Sequence, residues 1–167
     1  MFLTVQKLII ETISFLSTIS DVDCIMVRGN HDYMSVFMLG QVLEAYFHNN
    51  DSVKIENCLG RTARLIGNTC VGFAHGENDI KKSPAIIFKE FPEISYRAKI
   101  HEWHCGHWHT QKTVIDEQIG IVTRYFSSLS VNDRWHYQEG YIGNRISASA
   151  LIHSLNDGVI STQTICF

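Results

Sequence analysis

Three short polar motifs each follow an apolar run, in a chain with no other concentration of chemically reactive side chains. They read Gly-Asn-His-Asp at 29–32, His-Gly at 75–76 and Gly-His-Trp-His at 106–109. Neutral imidazole and an amide carbonyl oxygen can bind a divalent metal, and a protonated imidazole can donate to a departing oxygen. Each of these residue types therefore has a use in the hydrolysis of a phosphate ester.

The first two motifs also allow plain structural interpretations. Gly29 and Asn30 tolerate unusual backbone angles, so this segment could be a tight turn in which Asp32 caps the next helix. His75 could be a hydrogen-bonded residue at a strand end, where Gly76 lets the backbone turn sharply. In the functional interpretation, Asn30 offers its carbonyl oxygen to a metal.

The third motif favours a metal site more strongly. Side chains two residues apart on an extended segment point the same way, so His107 and His109 would converge while Trp108 points elsewhere. Such a pair suits two neighbouring metals or two ligands of one metal, and a chance pair of surface histidines is the alternative. His101 and His104 precede this motif and are expected to be structural or solvent-facing, with His104 a candidate for the outer shell.

The remaining polar candidates are expected to be structural. His48, His136 and His153 have no supporting context. In the Asp-Arg-Trp-His segment at 133–136, the arginine could clamp a phosphate and the tryptophan could stack on a base. An ion-paired anchor of a loop is the preferred interpretation of this segment.

The order and residue types of the three motifs resemble those of the calcineurin-like metallophosphoesterases. The last three motifs of that family read Gly-Asn-His-Asp/Glu, an isolated His usually followed by Gly, and Gly-His-x-His, and the match spans about 23–110. The resemblance implies that Asn30, His75 and His107 hold one divalent ion, while His109 contributes to a second. Manganese, iron and zinc suit these ligands.

The same resemblance implies a mechanism. A metal-activated hydroxide would attack the phosphorus of a phosphomonoester or phosphodiester, including that of a nucleotide or a nucleic acid. His31 would be the uncoordinated catalytic histidine that assists the leaving group, and Asp32 would orient it.

Two further motifs of that family, Asp-x-His and Gly-Asp-x-x-Asp, do not occur in this sequence. Only Asp21 and Asp23 precede Gly29, so the expected ligands are all neutral and lack a carboxylate that bridges two ions. One metal or fewer is therefore expected here. The resemblance further implies that residues 1–167 form a single, N-terminally truncated phosphoesterase domain that another fragment would complete.

The elements that must position the motifs alternate between helices and short strands. Apolar residues at i, i+3 and i+4 predict a helix over 5–19, and Asp32 is placed to cap another over 33–47. Further expected segments are strands at 24–27, 53–56, 62–66, 69–74, 99–105, 112–116 and 121–126, a helix at 81–90 ended by Pro92, and a hairpin of 145–154 with 159–166. This pattern predicts an α/β fold at the boundary with α+β, and the resemblance implies an incomplete four-layer metallophosphoesterase-like β-sandwich flanked by helices.

Composition limits the environment and the partners. The chain has 167 residues, 45% of them hydrophobic, and a net charge of -3, which gives no basic face for non-specific nucleic-acid binding. Its five cysteines form no C-x-x-C pair, and the first apolar stretch is too polar to span a membrane, so a cytoplasmic protein is expected. An uncovered sheet edge would favour self-association.

Three hypotheses follow for the function. The first is a metal-dependent phosphoesterase that is incomplete as an isolated chain. The second is a non-catalytic remnant or binding module of the same fold that holds at most one metal. The third is an unrelated small domain with a structural zinc site of His75, His107 and His109, which chelators would unfold.

Overall fold

The computed structural model describes residues 2–58, 60–77, 79–129 and 145–167. The chain divides into two compact units, Met1–Gly60 and Arg61–Phe167, which we call unit 1 and unit 2. The 133–136 segment and its His136 lie outside the described residues. The predicted single phosphoesterase domain stays a prediction.

Unit 1 is a helix followed by a β-α-β crossover. Its elements are α1 (Phe2–Ser17), β1 (Val22–Val27), α2 (Tyr33–Phe47) and β2 (Val53–Cys58). The two strands pair in parallel from Val22↔Val53 to Val27↔Cys58. The core consists of Ile13 of α1 and Leu39, Leu43 and Phe47 of α2, with apolar side chains of both strands packed against it. The predicted helices and strands of this region are confirmed.

Apolar side chains of α1 also remain in solvent. Leu3, Leu8 and Phe15 are each at least 60% exposed. Exposed apolar surface of this kind is typical of interaction faces. The predicted self-association stays a prediction.

Unit 2 is a mixed five-stranded sheet with helices and a hairpin. Its elements are β3 (Arg61–Ile66), β4 (Thr69–Ala74), α3 (Asp79–Lys82), α4 (Ile86–Glu90), α5 (Pro92–Arg97), β5 (Ile100–Cys105), β6 (Lys112–Asp116), β7 (Ile121–Tyr125), β8 (Ser147–Ser154) and β9 (Gly158–Cys166). The strand order is β3-β4-β5-β7-β6, in which β4, β5 and β7 are parallel neighbours and the two edge strands are antiparallel. Mixed helices and sheets of the α/β type are therefore confirmed.

The predicted helix over 81–90 is wrong as a single element. It is divided into α3 and α4 around Pro84, whose ring nitrogen has no hydrogen to donate to a helix. α4 does end before Pro92, but Pro92 then occupies the first turn of α5, where a missing N–H costs nothing.

The sheet of unit 2 has two different faces. Side chains of one face, among them Cys70, Trp103 and Ile121, form the apolar core with Ile80 and Ile87 of the short helices. On the alternate positions of the same strands the side chains point the other way, toward the β8–β9 hairpin.

Several contacts hold that hairpin against the sheet. The backbone N–H of Asn68 donates to the carbonyl of Leu155 at 2.7 Å, and the His153 and His104 rings lie 6.0 Å apart. A Cβ on Gly158 would lie 3.5 Å from Oε1 of Glu102. The predicted hairpin is confirmed, with a turn at 155–157 and Gly158 at φ 75°.

Glu102 is a buried charge on the hairpin side of the sheet. It is 2% exposed, and its Oε2 accepts from Nε of Arg124 at 2.6 Å and lies 3.4 Å from Nε2 of His104. Burial alone would raise the pKa of Glu102, but the hydrogen bonds from His104 and Arg124 and their positive charge lower this pKa to about 2. The carboxylate is therefore ionised and paired.

Within the described part of the chain, no helix has both the length and the apolar character that crossing a membrane requires.

We expect Glu102→Gln to lower the free energy of unfolding at pH 7 by about 3 kcal/mol, because it leaves Arg124 without its buried partner. The folded pKa of Glu102 lies below its unfolded value of 4.5. Its stabilisation is therefore present above pH 4.5 and is lost as the pH falls toward 2. Urea unfolding at pH 7, 4.5 and 3 should show a flatter acid dependence in this variant.

The exposed Glu117→Gln variant is the control and should keep the wild-type profile. An unchanged acid dependence in Glu102→Gln would contradict the assignment of that stabilisation to Glu102.

Candidate metal centre

All three motifs lie directly after strands, as the sequence predicts. β1 ends at Val27, β4 at Ala74 and β5 at Cys105. In unit 2, Ala74 and Cys105 are register partners of parallel strands. The two strands therefore end at the same edge, and the segments that follow them emerge side by side.

At this edge the structure brings together His75, Glu77 and His107. One ring nitrogen of each histidine and a carboxylate oxygen of Glu77 all lie within 4.8 Å of one another, and all three residues are partly buried. Nδ1 of His107 lies 3.1 Å from Nε2 of His75, with the ring planes at 73°. This group could hold a metal ion.

The donor geometry fits a single ion. With metal–nitrogen distances of about 2.05 Å, a 3.1 Å separation between the two nitrogens corresponds to an angle of about 98° at the metal. Three protein donors leave coordination positions open for water and substrate. Without a metal, the same contact is a hydrogen bond in which one ring nitrogen donates and the other accepts.

Glu77 belongs to this group although its position in the sequence did not predict it as a ligand. The expected ligands are all neutral, whereas the group that could hold a metal in unit 2 includes the carboxylate of Glu77. The only signal was its spacing, two residues beyond His75 across a glycine. An exposed acidic residue has the same spacing in many loops, so the spacing alone does not separate a ligand from a solvated charge.

Gly76 makes the turn that allows this spacing. Its φ is +88°, and a Cβ there would lie 2.6 Å from Cβ of Cys105. The carbonyl of His75 accepts the N–H of Gly106 at 3.0 Å, which joins the two ligand-bearing segments. The predicted sharp turn at Gly76 is confirmed.

Arg61 of β3 anchors the chain just beyond Glu77. Its guanidinium binds the carboxylate of Asp79, at the start of α3, and that of Glu90 in α4. The hydrogen bond with Glu90 is the largest cause of a raised Arg61 pKa, so this cation stays charged. The network limits how far the segment carrying Glu77 can move.

His107 and His109 do not lie on an extended segment, so that prediction is wrong. Their φ values are 62° and 50°, and no other non-glycine residue in the described ranges has a positive φ. The N–H of Trp108 donates to the carbonyl of Gly106 at 2.7 Å, which closes a γ-turn centred on His107, a rare and strained conformation. The turn sends His107 toward His75, and His109 is outside the group of three.

The 29–32 motif of unit 1 forms a tight turn before α2. Asp32 occupies the N-cap position but makes no side-chain capping bond; its Oδ1 instead accepts the N–H of Gly29 at 2.8 Å. The predicted N-cap position of Asp32 is confirmed, but its side chain makes no capping bond because the carboxylate turns back into the loop. Asn30 and His31 are exposed, and their roles as ligand and acid stay predictions.

His48, His101 and His104 have structural partners. His101 contacts the carbonyl of Ser95 at 3.0 Å and His48 that of Ala45 at 2.9 Å, as expected. His104 lies between the rings of Phe73 and Phe126, with its Nε2 toward Glu102. The contacts of His104 thus do not include the metal-binding group, contrary to a role in its outer shell.

Comparison of this chain with family models, with curated proteins and with solved structures finds no match.

The positive φ of residue 109 should reverse the usual order of stability between alanine and glycine variants at that position. We expect His109→Gly to be more stable than His109→Ala by about 1 kcal/mol, because the left-handed backbone conformation costs free energy for alanine but not for glycine. Urea unfolding with a chelator present measures both variants without a metal contribution. At the exposed neighbour Thr110, whose φ is not positive, the alanine variant should instead be the more stable of the pair. The same order at both positions would contradict the left-handed conformation of residue 109.

Proposed function

We propose that this chain is a metal-dependent phosphoesterase that acts on a phosphomonoester or phosphodiester. The observation that carries the proposal is the convergence of His75 and His107, two of the predicted ligands, with a carboxylate from Glu77. The order of the three motifs supports the calcineurin-like relationship.

The chemistry follows from what this donor set can hold. When bound, a divalent ion supplies polarisation of a phosphoryl oxygen and activation of water. In unit 2, His75, Glu77 and His107 would hold the ion, and the resemblance implies His109 as a further ligand. For unit 1, the resemblance implies Asn30 as a ligand and His31 as the group that assists the leaving oxygen. Asp32 fixes the 29–32 turn through its bond with the Gly29 N–H.

The finer aspects of fold and setting belong to the same proposal. Helices on one face of the unit 2 sheet and a hairpin on the other support an incomplete form of the four-layer sandwich. The cysteines at 24, 70, 105 and 166 are free, which supports the cytoplasm as the location. Substrates of the proposed class include nucleotides and nucleic acids.

A single observation favours the non-catalytic alternative. Across the described ranges, one group of at least three His, Cys, Asp or Glu side chains is close enough to hold a metal. A two-metal phosphoesterase needs ligands for a second ion, and the described residues show no second group of this kind. A module that binds one ion without turnover is therefore the second candidate.

Metal binding itself is tested first. We expect calorimetric titration with Mn²⁺ or Zn²⁺ to give one ion per chain. Glu77→Gln should weaken binding at least about tenfold, because the site loses its only negative donor. The matched control is Glu93→Gln, at an exposed position in the first turn of α5. Equal affinity in wild type and Glu77→Gln would exclude Glu77 as a ligand.

Hydrolysis is tested with bis-p-nitrophenyl phosphate and added Mn²⁺. We expect turnover that His107→Ala abolishes and that His31→Asn lowers by about 10²-fold or more, the effect typical of a lost general acid. His48→Asn is the control for unit 1, since this exposed histidine has only a local bond to Ala45. Binding of one ion without any turnover would support the non-catalytic alternative instead.

A further inference from the structure

Trp108 contacts both segments that carry the metal ligands. Its indole N–H donates to the carbonyl of Gly76 at 2.8 Å, between His75 and Glu77. Its ring meets that of His107 edge to face, with centroids 5.2 Å apart and planes at 86°. One side chain thus fixes the carbonyl between two ligands and the ring of the third.

The other side of this contact is also held in place. Trp108 packs against the apolar core of unit 2, and the Lys81 ammonium lies 4.2 Å from its ring centroid. A large ring with these contacts has little rotational freedom. Its N–H is therefore a fixed donor for Gly76.

We propose that Trp108 is the positioning residue of the metal site, an inference that rests on the metal-binding function proposed above. The γ-turn at His107, a non-glycine residue with positive φ, costs conformational free energy. The indole bond and the ring contact offset this cost and hold the two nitrogens at a distance that one ion can span. Outer-shell groups that orient metal ligands in this way commonly change metal affinity by 10- to 100-fold.

The chain contains a matched control for this bond. Trp103 also donates its indole N–H to a backbone carbonyl, that of Pro84, at the same distance of 2.8 Å. Trp103 is fully buried in the core, and its indole bond joins β5 to the segment before α4. Loss of this bond tests the effect of a lost indole donor away from the metal ligands.

The test compares Trp108→Phe and Trp103→Phe at a temperature where circular dichroism shows both variants folded. Titration with Co²⁺ measures affinity, and the visible absorption of bound Co²⁺ reports its coordination. We expect Trp108→Phe to weaken Co²⁺ binding about 10- to 100-fold and to shift the absorption bands. Trp103→Phe should be less stable but should keep the wild-type dissociation constant within about twofold and the same spectrum.

If Trp108→Phe does not fold, a benzothienylalanine analogue in place of Trp108 keeps the ring shape and removes only the N–H. The same affinity loss and spectral shift are then expected. Wild-type affinity and spectrum in Trp108→Phe, or in the protein with benzothienylalanine at position 108, would overturn the positioning role of Trp108. The proposed function would remain intact. Failure of the wild-type protein to bind Co²⁺, Mn²⁺ or Zn²⁺ would overturn the proposed function and this inference together.

Discussion

The parallel pairing of β4 with β5 is the constraint on which the candidate site depends. Because Ala74 and Cys105 are register partners, the segments after them leave the sheet at one edge, and the bond from Gly106 N–H to His75 carbonyl joins them. Parallel neighbours need a crossover, which α3, α4 and α5 supply here. A shift of one residue in that register would send every side chain of one strand to the opposite face and separate the histidines.

Backbone strain at this edge is concentrated in the residues that carry the chemistry. His107 and His109 have positive φ, and a Cβ at Gly76 would collide with Cys105. Such conformations persist only where surrounding contacts determine them. Here those contacts are the hydrogen bond of Trp108 to Gly76 and the ion pairs of Arg61, so a well-ordered sheet stabilises an unfavourable loop.

β5 separates two different chemical environments in unit 2. Trp103 and Cys105 lie in the apolar core beneath the short helices, whereas Glu102 and His104 lie on the hairpin side with Arg124. Successive side chains of a strand point to opposite faces of the sheet, so β5 contributes residues to the apolar core and to the hairpin side. The buried carboxylate is tolerated because the Arg124 guanidinium and His104 replace the water that Glu102 loses.

The sequence by itself determined most of the elements, because apolar periodicity and turn residues are local properties. It predicted α2 at its observed bounds and placed His75 and His107 directly beyond strand ends. It did not predict Glu77 as part of the group, the left-handed turn at 107–109 or the carboxylate of Asp32 turning back to Gly29. Those features depend on contacts between residues distant in sequence, such as Trp108 with Gly76, or on a loop geometry that several residue types share. Only the tertiary structure decided them, since strand register sets which side chains meet and periodicity carries no information about register between strands.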